Sequence, residues 1–165
     1  LGSKKQVVGV INAFNRHPDI GMIGPAGHWL DYARYWGDPL SPERTQTLLE
    51  HLGIRISLDE LGFFAGSMFW CRPEAMDPLL EITDDDFEPE EGQTDGTLAH
   101  ALERIFAASA QAAGYRITDT RHPDSVQEPA FEQHYPFAKP SPHLRTASTV
   151  PATAAAPARS PHRQN

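Results

Sequence analysis

The sequence predicts an α/β domain, and three observations carry that prediction. Two short apolar runs, residues 20–24 and 63–70, sit among Gly and Pro residues and read as buried strands. Residues 98–114 carry apolar side chains at helical spacing. Helical and strand-like segments alternate along the chain, which is the pattern of an α/β architecture. With only two or three strands in view, the sheet reads as incomplete, with its missing part upstream.

The first helix is expected over residues 4–16 and stops before Pro18. Ser3 and Gln6 have the capping-box spacing, in which the two side chains satisfy free backbone N–H groups. Val7, Val8, Ile11 and Phe14 are expected on its buried face. No strand precedes this helix for it to cover, so the start reads as a cut inside a domain. Residues 20–24 follow as a strand. Residues 25–37 read as an aromatic, Gly-rich loop with His28, Trp29, Tyr32, Tyr35 and Trp36. Ser41-Pro42-Glu43 opens a helix, with Pro at its first position. Leu48, Leu49 and Leu52 form its apolar face, and Gly53 suits its end.

Residues 63–70 read as one continuous second strand. Arg72-Pro73-Glu74 breaks it and opens a short helix ending near Leu80. Residues 84–91 form an acidic loop. Asp95-Gly96-Thr97 leads into the clearest helix, with Leu98, Leu102, Ile105, Phe106 and Ser109 on its core face and Gly114 at its end. Tyr115-Arg116-Ile117 reads as a last short strand, and residues 121–138 as an extended segment. From about residue 139, Pro, Ala, Ser and Thr dominate. Such a segment buries too little apolar surface to offset its ordering entropy, so residues 139–165 are expected to be a disordered tail.

Bulk properties narrow the function. A chain of 165 residues has room for one domain. A formal net charge of -8 repels phosphate backbones and argues against nucleic acid as a partner. Cys71 is the single cysteine, so no internal disulfide forms, which fits a reducing compartment. No apolar run is long enough to span a bilayer.

Three places offer chemistry. His28 and Trp29 lie just after the first strand, where α/β folds place ligands. His28 suits a sugar or phosphate oxygen, and Trp29, Tyr35 and Trp36 suit the apolar face of a sugar ring. Packing against the core explains the same aromatics equally well. Gly66 and Ser67 interrupt the second apolar run, and a Gly inside a strand marks close approach of a ligand or of another backbone. Ser67 and Arg72 would then hold sugar hydroxyls or a diphosphate; the competing reading is a bulged core strand, with Arg72 paired to a surface acid. Cys71 lacks a basic neighbour and reads as an ordinary thiol. Asp95 precedes the long helix, where a carboxylate either caps the N-terminus or serves as a general base toward an acceptor hydroxyl. His100 and Arg104 lie one turn apart opposite the apolar face, and either line a cleft with Asp95 or face solvent. The solvent-facing reading is preferred.

Four segments together resemble one family. They are Phe64-Ala65-Gly66-Ser67-Met68-Phe69-Trp70 with Arg72-Pro73-Glu74-Ala75, and Asp95 through Arg104. The others are Gly24-Pro25-Ala26-Gly27-His28 with Tyr35-Trp36-Gly37, and Ala113-Gly114-Tyr115-Arg116. Taken in their order along the chain they are similar to the rhamnan synthesis protein F family over about residues 1–120. The resemblance implies a partial GT-A-like nucleotide-sugar transferase fold whose nucleotide-binding half lies upstream. It implies transfer of a sugar from a nucleotide-sugar donor to a lipid-linked glycan acceptor. The place implied is the cytoplasm, at the inner face of the membrane, with peripheral association. A divalent metal, where one is used, would take its ligands from the upstream half. Asp84-Asp85-Asp86 has the D-x-D spacing that holds metal in many sugar transferases, yet it follows the apparent acceptor-side strand and reads better as a solvated acidic loop. No residue of the chain is assigned as a metal ligand. On this reading Asp95 is the base, Gly66, Ser67, Arg72 and His100 contact substrate, and His28 and Trp29 shape the acceptor pocket. The rival is a non-catalytic glycan-binding or scaffold module.

Overall fold

The computed structural model describes residues 2–125 and 127–142. It is a mixed α/β domain. The first helix, α1 (Lys4–Arg16), starts with the Ser3 hydroxyl accepting a hydrogen bond from the Gln6 amide at 3.3 Å. Its buried stripe is Val10 and Ala13, with Phe14 packed beside them; Val8 and Ile11 are 48 % and 49 % exposed. The expected stripe is thus corrected. The helix carries two apolar edges, and the sheet takes the one built on the i, i+3, i+4 set of residues 10, 13 and 14.

Strand β1 (Ile20–Gly24) is buried at all five positions, because both its faces are covered. It pairs in parallel with β5 (Arg116–Asp119), Ile23 opposite Thr118 and Gly24 opposite Asp119. On its other edge it pairs antiparallel with β4 (Trp70–Cys71), Met22 opposite Cys71. The sheet order is therefore β4-β1-β5. Helix α1 covers one face through Ile20 and Ile23, and α3 (Leu98–Ala112) covers the other through Met22, Ala107, Ala110 and Ile117.

A second, two-stranded ribbon joins β2 (Trp29–Asp31) to β3 (Gly62–Phe64), with Trp29 opposite Phe64. Together with α2 (Ser41–His51) and α3 it encloses the largest core cluster, including Tyr32, Leu49, Leu61, Phe63 and Ile105. Two sequence expectations change here. Part of the presumed loop, Trp29–Asp31, is a strand. Residues 63–70 are not one strand: a 3₁₀ turn over Ala65–Ser67 splits them, so that β3 stays in the ribbon and β4 crosses to the main sheet. The crossing is made at Gly66 (φ 80) and Ser67 (φ 52), both left-handed, a conformation that costs a residue with a Cβ.

The remaining elements are short. Pro73–Leu79 forms 3₁₀ turns rather than an α-helix, consistent with Pro78 inside it. The acidic stretch contains a 3₁₀ turn at Asp84–Asp86, closed by a capping box with Thr83. Residues 127–142 run back over the ribbon. Phe131 stacks on Trp29 at 6.0 Å, the Trp36 indole donates to the Pro142 carbonyl at 2.9 Å, and the Ser141 amide donates to the Arg34 carbonyl at 2.8 Å. This strap keeps contacts to Pro142, three residues beyond the expected start of the tail. The rest of that expectation, residues 143–165, lies outside the described residues.

Gly24 is required by packing. A Cβ there would lie 2.2 Å from the Phe64 ring, so the ribbon could not close on the sheet. Gly24→Ala is expected to lower stability by about 1–3 kcal/mol, the usual range for overpacking, read as a lower urea midpoint. An unchanged midpoint would mean that Phe64 does not seat there.

Candidate functional site

Asp95 is the hub of the site. Its Oδ2 accepts from Arg104 Nη2 at 2.9 Å and from the Asp38 amide at 3.2 Å. Its Oδ1 accepts from the Gly96 amide at 2.7 Å and, at the longest of the four distances, from the Ser41 hydroxyl at 3.3 Å. The approach is close enough to demand a glycine: at Gly37 (φ 86) a Cβ would lie 1.9 Å from Asp95 Oδ2. Arg104 reaches Asp95 from the second turn of α3. Its side chain is 7 % exposed against 22 % for Asp95. The guanidinium also donates to the His100 carbonyl at 2.6 Å and lies over the Phe63 ring at 5.8 Å. Its Nε is buried with no partner among the described residues. The expectation of a solvent-facing Arg104 is thereby corrected, because the loop before α2 folds over that face of the helix.

Asp95 does not cap α3. The N-cap is Thr97, whose side chain makes no capping bond, and the Leu98 amide donates to Glu88 at 2.9 Å. Glu88 also pairs with Arg44. The Leu98 amide first, with help from Arg44, holds the Glu88 carboxyl below its usual value of 4.5. A depressed folded pKa stabilises the fold above the unfolded value, and that contribution disappears as pH falls through the folded one. Stability is therefore expected to drop below about pH 4.5, and Glu88→Gln should flatten part of that fall in a melting series against pH. A variant with the wild-type acid profile would exclude Glu88 as a contributor.

A second cluster surrounds the left-handed turn. The Gly66 amide donates to Glu103 Oε1 at 2.5 Å, and the Ala65 amide to the His28 carbonyl at 3.0 Å. His28 Nδ1 lies 3.1 Å from the Tyr135 hydroxyl, the rings meeting edge to face. Burial, then the nearby Glu103 charge, push the Tyr135 hydroxyl pKa up. Since Glu103 and Arg104 are neighbours on α3, this cluster adjoins the Asp95 hub.

The other candidates go elsewhere. Trp29 is 3 % exposed, packed between Phe64 and Phe131, so its indole offers no open face. Tyr35 and Trp36 are buried too. Arg72 donates to the Ile20, Phe14 and His17 carbonyls at 2.8, 2.5 and 3.3 Å, and so ties α1 to β1 on the far face of the sheet. His100 Nδ1 meets the Thr97 hydroxyl at 2.6 Å within its own helix. Burial pushes the Cys71 thiol pKa up. Asp86 is occupied by the Thr83 amide and hydroxyl at 2.7 and 2.9 Å, and no metal-binding group of three or more His, Cys, Asp or Glu occurs among the described residues. A cavity of about 570 Å³ lies beside the start of α3, with Leu40, Leu48, Leu98 and Ala101 as apolar wall and Arg44 and Glu88 at the rim.

The sequence assigns no site role to Gly37, Ser41, Glu88, Glu103 or Tyr135. Gly37 and Glu103 stand in family-like segments and Ser41 reads only as a helix start; nothing local marks Glu88 or Tyr135.

The rhamnan synthesis protein F family matches residues 4–115, which contain Asp95, Arg104, His28 and the Gly66–Ser67 turn. The chain belongs to that family, named for the synthesis of a polysaccharide. Two curated relatives, each called uncharacterized protein WxcX, come from two strains of Xanthomonas campestris pv. campestris, and each is 33% identical over 144 residues. The match covers 84% of this chain but only 20% of each relative, so the chain spans about a fifth of their length. No solved structure matches the chain. No helix among the described residues is long and apolar enough to cross a membrane.

Proposed function

We propose that the chain is the acceptor-side part of a GT-A-like sugar transferase that extends a cell-surface polysaccharide such as rhamnan or an O-antigen-like chain. The observation that carries this reading is a carboxylate, Asp95, fixed between two elements in the segment that the family shares. In the proposed reaction the bond between the sugar C1 and the donor phosphate breaks, and the nucleoside diphosphate leaves. The acceptor oxygen bonds to C1, and its proton passes to Asp95. The acceptor hydroxyl takes the place of Ser41, the most weakly held of the four donors. Arg104 keeps the carboxylate aimed, which is positioning rather than bond-making. His28, Gly66 and Ser67 line the approach for the acceptor. The donor's diphosphate, with any divalent metal, belongs to the upstream part of the full-length protein, and the reaction takes place in the cytoplasm at the membrane face.

One observation favours a second reading. Four donors already occupy the Asp95 oxygens, as in a purely structural clasp, which suits a glycan-binding or scaffold module. The test is a transfer assay. The full-length protein, given nucleotide-linked rhamnose and a rhamnan oligosaccharide, should lengthen the oligosaccharide by one sugar. Binding without lengthening, across a panel of nucleotide sugars, would leave only the module.

A further inference from the structure

The two parallel strands of the main sheet end side by side, β1 at Gly24 and β5 at Asp119. In α/β sheets, the crevice beyond the carboxyl ends of such strands is where ligands bind. A cavity of about 640 Å³, within the range of small-molecule sites, opens there between the end of β5 and residues 127–134 of the strap. None of Asp95, Arg104 and Ser41 lines it.

Asp119 is 9 % exposed and lines this cavity. Its Oδ1 accepts from the Arg121 and His122 amides at 2.7 and 3.0 Å, which turns the chain back after β5. Its Oδ2 accepts from no group among the described residues and is not sealed in the core, so the cavity is where a donor can reach it. A carboxylate oxygen so far from bulk water is stabilised by such a donor. The strap supplies the rest of the lining. The Glu132 amide donates to the Trp29 carbonyl at 2.9 Å, and the Phe131 ring stacks on Trp29 at 6.0 Å, so both residues are fixed. Phe131 is still 37 % exposed at the cavity. Glu132 Oε1 and Arg121 Nη2 stand 3.9 Å apart, a loose pair that leaves hydrogen-bonding capacity on both.

The lining selects the occupant by charge. Three carboxylates, Asp119, Glu128 and Glu132, against the single guanidinium of Arg121 repel a phosphate or a carboxylate. No three His, Cys, Asp or Glu among the described residues are placed to hold a metal ion. An amine would satisfy Asp119 but leave the donors of Arg121 and Gln133 without an acceptor. A hydroxyl both donates and accepts, and so serves both kinds of group. The open Phe131 ring suits C–H groups beside those hydroxyls. We infer that this cavity binds an uncharged sugar unit, with Asp119 Oδ2 accepting from a sugar hydroxyl and Phe131 against the C–H face. The residues that form it lie beyond the stretch matched by the family, and the site stands apart from the transferase reading of Asp95.

The test uses the full-length protein, with a neutral rhamnose trisaccharide, inorganic phosphate and spermidine as probes, in saturation-transfer NMR and calorimetric titration. The trisaccharide should bind, and neither ion should displace it at equal concentration. Asp119→Asn keeps a carbonyl oxygen for the Arg121 and His122 amides, so the melting temperature should stay close to wild type. The sugar hydroxyl loses its carboxylate acceptor, and the affinity should fall about ten- to a hundredfold. Arg121→Ala changes a side chain that is 58 % exposed, and should weaken binding severalfold in a protein that folds normally even where Asp119→Asn does not. Wild-type affinity in the folded variants, or no trisaccharide binding by the wild type, would overturn the inference. Asp119-dependent binding of spermidine in place of the sugar would overturn it as well and make the cavity a cation site. Each outcome is read from binding alone, so none depends on whether transfer occurs at Asp95.

Discussion

Asp95→Asn in the full-length protein is expected to slow sugar transfer by about a hundred- to ten-thousand-fold, the usual effect of losing a general base. The structure indicates why the variant should still fold. The new amide can turn its oxygen toward Arg104 and the Asp38 amide, and its NH₂ toward Ser41, whose hydroxyl accepts as well as donates. The Gly96 amide loses its acceptor and the buried Arg104 guanidinium loses its counter-charge, so the variant should be less stable by roughly 3 kcal/mol while keeping most of its hydrogen bonds. Asp95→Ala instead abandons all four donors and should cost both stability and transfer. Rates and melting temperatures for the three proteins separate the roles. A clasp without chemistry would give near-normal transfer in Asn and a large loss of stability in Ala.

Arg104→Met should give the largest loss of stability. Met fills much of the same space, so the change removes the charge, and with it the cation–π contact with Phe63, without opening a large cavity. It leaves the Asp95 carboxylate without its ion partner and removes the side-chain donor from the His100 carbonyl. Removing one partner of a buried pair costs about 3–5 kcal/mol, and partial exposure of Asp95 points to the lower end. The melting temperature should fall by on the order of 10 °C. Replacing both residues with apolar ones should recover much of the loss, since no charge is then stranded. A single variant within about 1 kcal/mol of wild type would mean that the pair contributes little more than an exposed surface pair.

The elements that were legible are those whose evidence is local. The bounds of α1 follow from Ser3 and Pro18, β1 from an apolar run between polar turns, and α2 and α3 from periodicity with Pro42 and Gly114 as punctuation. What stayed hidden depends on contacts far apart in sequence. Trp29–Asp31 becomes a strand only because Gly62–Phe64 pairs with it. The second apolar run breaks at Gly66 because its two halves belong to different sheets. Arg104 sits on the polar stripe of α3 and reads as solvated until Gly37 and Asp38 close over it. Asp95 stands out from its place before a helix, and Arg104 beside it only as the less favoured of two readings, while Ser41, 54 positions away, does not stand out at all. The strap was masked by its composition: Tyr135 and Phe137 are isolated rings among polar residues, with no period to betray them.

The claim that Asp95 takes the acceptor proton is tested most directly by the pH dependence of transfer in single turnover. Wild-type and Asp95→Asn full-length proteins would be compared within the pH range where both remain folded. The account predicts an acid limb in wild type, where the rate falls toward low pH, and a slow residual rate in Asn without that limb. The same limb in both proteins, with rates within a few-fold of each other, would contradict it and return Asp95 to a structural role.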